Sequence, residues 1–256
     1  MKKFLKSLGI CIGLPGINQL IIGFIATIMV VFIQKPNKVS EHIYTIVFIG
    51  NFITLILAHL MFSVYDKKLL SKDILKKVDI KEAIYISLFG VGLSIILLSL
   101  SGILTKLIPS YMNVQNQLQS ASNSLLQLIL TIIILPIYEE IIFRYVIFGY
   151  LKKNYSIVCA VIVQALVFGL VHGNIVQGIY TFILGICLAL MYMYCESLLG
   201  SIILHVIFNL CGILIIPKLV AINPAIGYII LILGILCLVF SLFKIMKKYE
   251  TILYEE

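Results

Sequence analysis

Long apolar blocks separated by short polar or lysine-bearing segments dominate the chain. Eight blocks of about 17 to 27 residues can be drawn, roughly 8–33, 43–65, 83–107, 125–151, 156–172, 178–195, 198–219 and 225–243. An α-helix rises about 1.5 Å per residue and a bilayer core is about 30 Å thick, so blocks of this length are read as membrane spans. The pattern predicts an all-α polytopic membrane protein of about eight transmembrane helices, organised as a single membrane domain over residues 1–256.

Composition agrees, with 62% hydrophobic residues, 12% charged residues and a mean hydropathy of +1.15. A net charge of +8 raises the question of nucleic acid. The lysines, however, sit in clusters between apolar blocks, where membrane orientation puts them, and no nucleic-acid partner is expected. With the N-terminus inside, 14 lysines fall on the cytoplasmic side: Lys2, Lys3, Lys6, Lys67, Lys68, Lys72, Lys76, Lys77, Lys81, Lys152, Lys153, Lys244, Lys247 and Lys248. Only Lys35, Lys38, Lys106 and Lys218 fall outside, and the outer segment PSYMNVQNQLQSASNS has no charge. A multi-pass protein of the cell membrane with both termini cytoplasmic is expected.

The start MKKFLKS resembles a signal peptide, but its apolar run is too long and ends in no A-x-A site, so an uncleaved helix is expected. In DKKLLSKDILKKVDIKE, Leu70, Ile74 and Val78 recur every four residues among lysines, as in an interfacial helix on anionic lipid; a solvated loop is an equal reading. Cys11, Cys159, Cys187, Cys195, Cys211 and Cys237 lie in or at the ends of apolar blocks without a C-x-x-C pair, and read as small packing residues.

The block ILPIYEEIIFRYVIF breaks the pattern with Glu139, Glu140 and Arg144. A charge at the centre of a spanning helix costs about 2.5 to 3.5 kcal/mol on insertion scales, so such residues need partners or a polar cavity. Glu140 and Arg144, four apart, can pair along one face. The chain has 18 lysines and one arginine, so a fork that keeps its proton is required at that single position. Glu139 is rotated about 100° from Glu140 and cannot share that pair equally. Pro136 removes a backbone donor upstream and can open room for water.

Two later spans hold His172, in FGLVH, and His205 and Asn209, in HVIFN. At i, i+4 the last two project together. Glu139 lies about 18 Å from the cytoplasmic end of its span, His205 about 10 Å, Asn209 about 16 Å and His172 about 24 Å, close enough to meet in one layer. A lone His or Asn in a membrane helix is as often an interhelical hydrogen-bonding residue, the reading given to Asn51, His59 and Gln164. That reading is weaker for a set containing an unclamped carboxylate, two histidines and an amide.

EEIIFR, FGLVH and HVIFN, on successive spans, resemble in order and spacing the EExxxR, FxxxH and HxxxN motifs of the CAAX protease and bacteriocin-processing (CPBP, or Abi) family of intramembrane proteases. The resemblance covers about residues 120–220, the expected catalytic core. It implies an intramembrane endopeptidase with an intramembrane polar active-site cavity. Its substrate would be a membrane-associated peptide or protein, such as a bacteriocin or pheromone leader or a CAAX-type protein. By analogy, Glu139 with His172 would hold and deprotonate a water, His205 and Asn209 would stabilise the oxyanion, and Glu140 with Arg144 would orient the helix. Members have also been described as metalloproteases, and Glu139, His172 and His205 are a plausible Zn²⁺ ligand set; without an H-E-x-x-H helix, no cofactor is expected.

The lysine- and isoleucine-rich composition resembles that of AT-rich bacteria and favours peptide or leader processing. With no room for a separate soluble recognition domain, the substrate is expected to enter laterally or from the cytoplasmic side. The alternative is a non-catalytic immunity or scaffold protein of the same fold. A proton-coupled transporter would also hold Glu, Arg and His at midplane, but the paired broken helices and repeated halves of that class are missing.

Overall fold

The computed structural model describes residues 2–34, 36–64, 72–223 and 225–255. No strand occurs among them, and the protein is an all-α, multi-pass membrane protein. The helices of ten or more residues are α1 (Lys3–Ile33), α2 (Ile43–Val64), α3 (Ile80–Leu107), α4 (Tyr111–Ser120), α5 (Leu125–Asn154), α6 (Ile157–Leu170), α7 (Ile175–Cys195), α8 (Leu198–Ile222) and α9 (Ile226–Glu255), and a short helix, Pro36–Glu41, links α1 to α2. Among the described residues seven are long and apolar enough to cross a membrane, all except α4 and α6.

The predicted span at 156–172 is therefore shorter than its apolar run suggests. Helix α6 has 14 residues, about 21 Å, well under the about 30 Å core. It stops because Gly173 takes a left-handed φ of +69°, which costs a glycine little. The side chain of Asn174 then accepts hydrogen bonds from the Val176 and Gln177 N–H groups and starts α7. Irregular backbone at membrane depth must be satisfied internally, and Gln19 of α1 donates to the Val171 carbonyl at 3.2 Å. The α6–α7 hairpin closes tightly through glycines: a Cβ on Gly169 would lie 2.7 Å from the Gly178 carbonyl oxygen.

Of the two readings of residues 66–82, the interfacial helix is not formed where the segment is described, and Leu70, Lys67 and Lys68 lie outside the described residues. Lys72–Leu75 makes one tight turn, residues 76–79 are non-helical, and Ile74 is buried. The Ser197 hydroxyl donates to the Lys76 carbonyl at 2.7 Å, so this segment is fastened to the start of α8 and its apolar residue turns inward. Asp79 and Glu82 then form a reciprocal cap that opens α3.

Three helices carry a widened π turn immediately before a proline: Gly9–Gly13 before Pro15, Leu130–Ile134 before Pro136, and Leu210–Ile215 before Pro217. Proline has no N–H and its ring clashes with the carbonyl four residues back, so the ladder shifts register there. A fourth π stretch, Ile141–Phe148, follows the two glutamates. The main core gathers Phe143, Phe148, Phe168, Leu184, Leu204 and Phe208, wrapped around the centre of α5.

Candidate active site

Helix α5 carries Glu139 and Glu140 on a short α segment, Leu135–Glu140, held between two π stretches. The 100° step between neighbours sends them to different environments. Glu140 is fully buried, whereas the Glu139 side chain is 26% exposed.

On the dry side, Arg144 Nε lies 3.1 Å from Glu140 Oε2, and neither side chain has any exposure. Arg144 is held from its other face by aromatic rings. Its guanidinium carbon stands 4.4 Å from the Phe168 centroid, within cation–π reach. Phe168 also packs edge-on against Phe143, His172 and His205, with centroids 4.9, 5.0 and 5.9 Å apart. One ring of the FGLVH motif thus braces the arginine and both histidines.

His205 joins the two glutamates, which the sequence alone had separated. Its Nδ1 lies 2.7 Å from Glu140 Oε1, a charge-assisted hydrogen bond in which the ring N–H donates. Its Nε2 then faces Glu139 Oε2 at 3.6 Å. A buried imidazole with one nitrogen committed to a carboxylate has its tautomer and orientation fixed. The Glu140–Arg144 pair therefore does more than neutralise itself, because its second carboxylate oxygen positions His205.

Asn209 is fixed by the proline device. Leu135 N–H reaches back five residues to the Leu130 carbonyl, so the next bond in that register would run from residue 136 to Thr131. Pro136 has no N–H to give, and Asn209 Nδ2 donates to the Thr131 carbonyl instead, at 3.1 Å. One amide proton remains for other partners. His172 follows the end of α6, with Nδ1 2.8 Å from the Phe168 carbonyl.

Glu139, His172, His205 and Asn209 line a common cavity of about 250 Å³ formed by α2, α3, α4, α5, α6, α7 and α8. A second, of about 290 Å³, lies toward α1 and α2, and Glu139, His172, Gln177 and Tyr44 border both. Glu139 and His172 thus stand where two cavities adjoin. Among the described residues lining either, Glu139 is the only Asp, Glu, Lys or Arg.

Among the described residues no group of three or more His, Cys, Asp or Glu side chains is placed to hold a metal ion. Other polar residues read as interhelical contacts behave variously: Gln164 Nε2 donates to the Gly185 carbonyl at 2.9 Å, Asn51 accepts from Asn18 at 3.0 Å, and His59 is exposed. None of the six cysteines is disulfide-bonded; Cys11 and Cys211 are buried and Cys159 is exposed.

Sequence reasoning did not assign Thr131, Gln177 or Tyr180 to the site. Gln177 and Thr131 are polar residues at the apolar ends of α7 and α5, which is a usable signal. Tyr180 is reached only by folding, its hydroxyl 3.3 Å from that of Tyr111 on α4.

Residues 121–211 match the family model described as Rce1-like, type II CAAX prenyl endopeptidase Rce1-like. The match covers the segment that holds all three motifs. No curated protein and no solved structure matches the chain.

Proposed function

From the match of residues 121–211 to the CAAX prenyl endopeptidase family model, we propose that the chain is an intramembrane endopeptidase in which Glu139 is the general base. The observation that supports this reading is the division of α5. One glutamate is dry, paired and fully buried, and its neighbour is unclamped and open to a cavity shared with His172, His205 and Asn209.

In the proposed reaction a water held between Glu139 and His172 gives a proton to the Glu139 carboxylate as its oxygen bonds to the scissile carbonyl carbon. The carbonyl π electrons move to oxygen, and the oxyanion is met by the spare N–H of Asn209 and by Nε2–H of a His205 ring that carries a proton on both nitrogens. Collapse re-forms the carbonyl and breaks the C–N bond, and the proton on Glu139 passes to the leaving nitrogen. Glu140 and Arg144 act through His205 and are positioning residues. No step is routed through a metal.

The substrate is a peptide or protein associated with the membrane. Leader processing of a bacteriocin or pheromone suits the composition, with the cell membrane as location and both termini cytoplasmic.

The test is cleavage of an internally quenched peptide library by the full chain in proteoliposomes, with wild type and Glu139→Gln compared with and without chelator. Cleavage that Glu139→Gln abolishes and chelator leaves unchanged is expected. Wild-type cleavage by Glu139→Gln would reject a catalytic Glu139 and favour an immunity or scaffold role. Loss of activity with chelator and its return with Zn²⁺ would reject metal-free water activation.

A further inference from the structure

Chain direction gives each residue a depth, and depth locates the cavity relative to the lysine clusters. Helix α5 ends at Lys152 and Lys153. The residues of α5 that line the first of these cavities, Thr131, Leu135 and Pro136, lie on the far side of Glu139 from those lysines. Helix α8 starts beside the Lys76–Glu196 ion pair, and beyond His205 it contributes Asn209, Gly212, Ile213 and Pro217. Helix α7 runs the other way and contributes its first residues, Gln177, Tyr180, Thr181 and Leu184. Helix α3 contributes Leu97, Leu98 and Ser101, toward its own distal end. Four helices therefore agree that the cavity occupies the half of the protein away from the lysine clusters.

The lysine side of the site is filled. Arg144, Ile147, Phe148, Leu188 and Leu204 have no exposure, and Leu151 and Leu198 have 2% and 1%. At the opposite end the cavity is roofed by α4. Tyr111, Gln115 and Gln119 of that helix line it, and Gln119 is exposed. Leu118 borders both cavities, so α4 lies over the place where they adjoin. The roof is fastened by neutral contacts, between the Tyr111 and Tyr180 hydroxyls and from the Tyr44 hydroxyl to the Gln117 carbonyl at 3.1 Å.

We infer that substrate reaches Glu139 from the lysine-poor side of the membrane, beneath α4. The bond cut then belongs to an uncharged stretch of an exported or membrane-anchored peptide, lying in or beyond the outer half of the bilayer. The positive-inside rule makes the lysine-poor side the extracytoplasmic one. Apart from Glu139 the described walls hold no Asp, Glu, Lys or Arg, and their glutamine amides and tyrosine hydroxyls suit an extended backbone with neutral side chains over a charged one. The expectation from the sequence is lateral or cytoplasmic entry; the inferred direction rests on geometry, and the substrate on the endopeptidase reading.

The test needs no catalysis. In full-length protein with its six cysteines changed to serine, Thr181→Cys and Ser101→Cys are near-isosteric probes inside the cavity, and Lys153→Cys reports the lysine side. Intact cells receive a membrane-impermeant methanethiosulfonate, and unreacted thiols are then counted by a mass-shifting maleimide after denaturation. Both cavity probes should react in intact cells, and Lys153→Cys only after permeabilisation. Reaction of Lys153→Cys in intact cells would overturn the inference, as would protection of both cavity probes until permeabilisation. The same labelling in a chain that cleaves nothing would reject the endopeptidase reading and leave the direction of access standing.

Discussion

Two of the polar clusters among the described helices are built differently. Between α1 and α2, Asn18 donates to Asn51 at 3.0 Å and accepts from Thr54 at 2.8 Å, and all three are buried. That cluster is neutral and its members satisfy one another. Between α5, α6 and α8, Glu139, Glu140, Arg144 and His205 carry ionisable groups, and Glu139 is left open to a cavity. Interhelical hydrogen bonds explain the first cluster as packing at about 0.6 to 2 kcal/mol each. Packing does not explain the second, because two charged groups buried with no exposure cost more than such bonds return unless they hold something else in place. A closed neutral cluster fastens helices, and the open charged one is where the proposed chemistry is placed.

The largest expected effect is on the open side. Glu139→Gln removes a general base and should lower cleavage at least about 10²-fold at unchanged abundance. Next, Glu140→Gln leaves Arg144 buried beside a neutral amide and should cost roughly 3 to 5 kcal/mol, seen as lost protein in membranes and a lower melting temperature in detergent. The double change Glu140→Leu with Arg144→Leu sharpens this. It should restore abundance but not cleavage, since His205 has lost its Nδ1 partner; recovered cleavage would make the pair a packing element like the asparagines. Phe168→Leu should come third, at about 2 kcal/mol from the lost guanidinium–ring contact, with a lower kcat because both histidines lose their brace. Asn18→Leu should cost about 1 kcal/mol by thermal melting and leave the pH profile of cleavage unshifted.

The smallest effect should come from the exposed Lys76–Glu196 pair, 2.8 Å long. The hydrogen bond and charge of Lys76 hold the Glu196 carboxyl below its ordinary value. Its contribution is therefore present above the ordinary carboxylate range and lost as pH falls through the lowered value. Glu196→Gln should change the melting temperature at neutral pH very little, as surface pairs do.

Much of the fold could be read from the chain because membrane spans are written in apolar length, and the different fates of Glu139 and Glu140 follow from helix rotation alone. Three features could not. The shortness of α6 depends on the left-handed Gly173, which hydropathy does not register. The bond from Asn209 to Thr131 depends on a register shift before Pro136, visible only once the backbone is traced. The bridge from His205 to both glutamates is a contact between residues 65 positions apart. Helix α4 was legible and overlooked: Tyr111, Val114 and Leu118 recur at helical spacing in the uncharged outer segment, and all three border the cavities.

The central claim is that adjacent glutamates on one helix do separate jobs. It is tested most directly by measuring cleavage and melting temperature together for Glu139→Gln and Glu140→Gln in the same proteoliposome and detergent preparations. Glu139→Gln should melt like wild type and not cleave, while Glu140→Gln should melt markedly lower. Equal melting of both variants with equal cleavage would contradict the account.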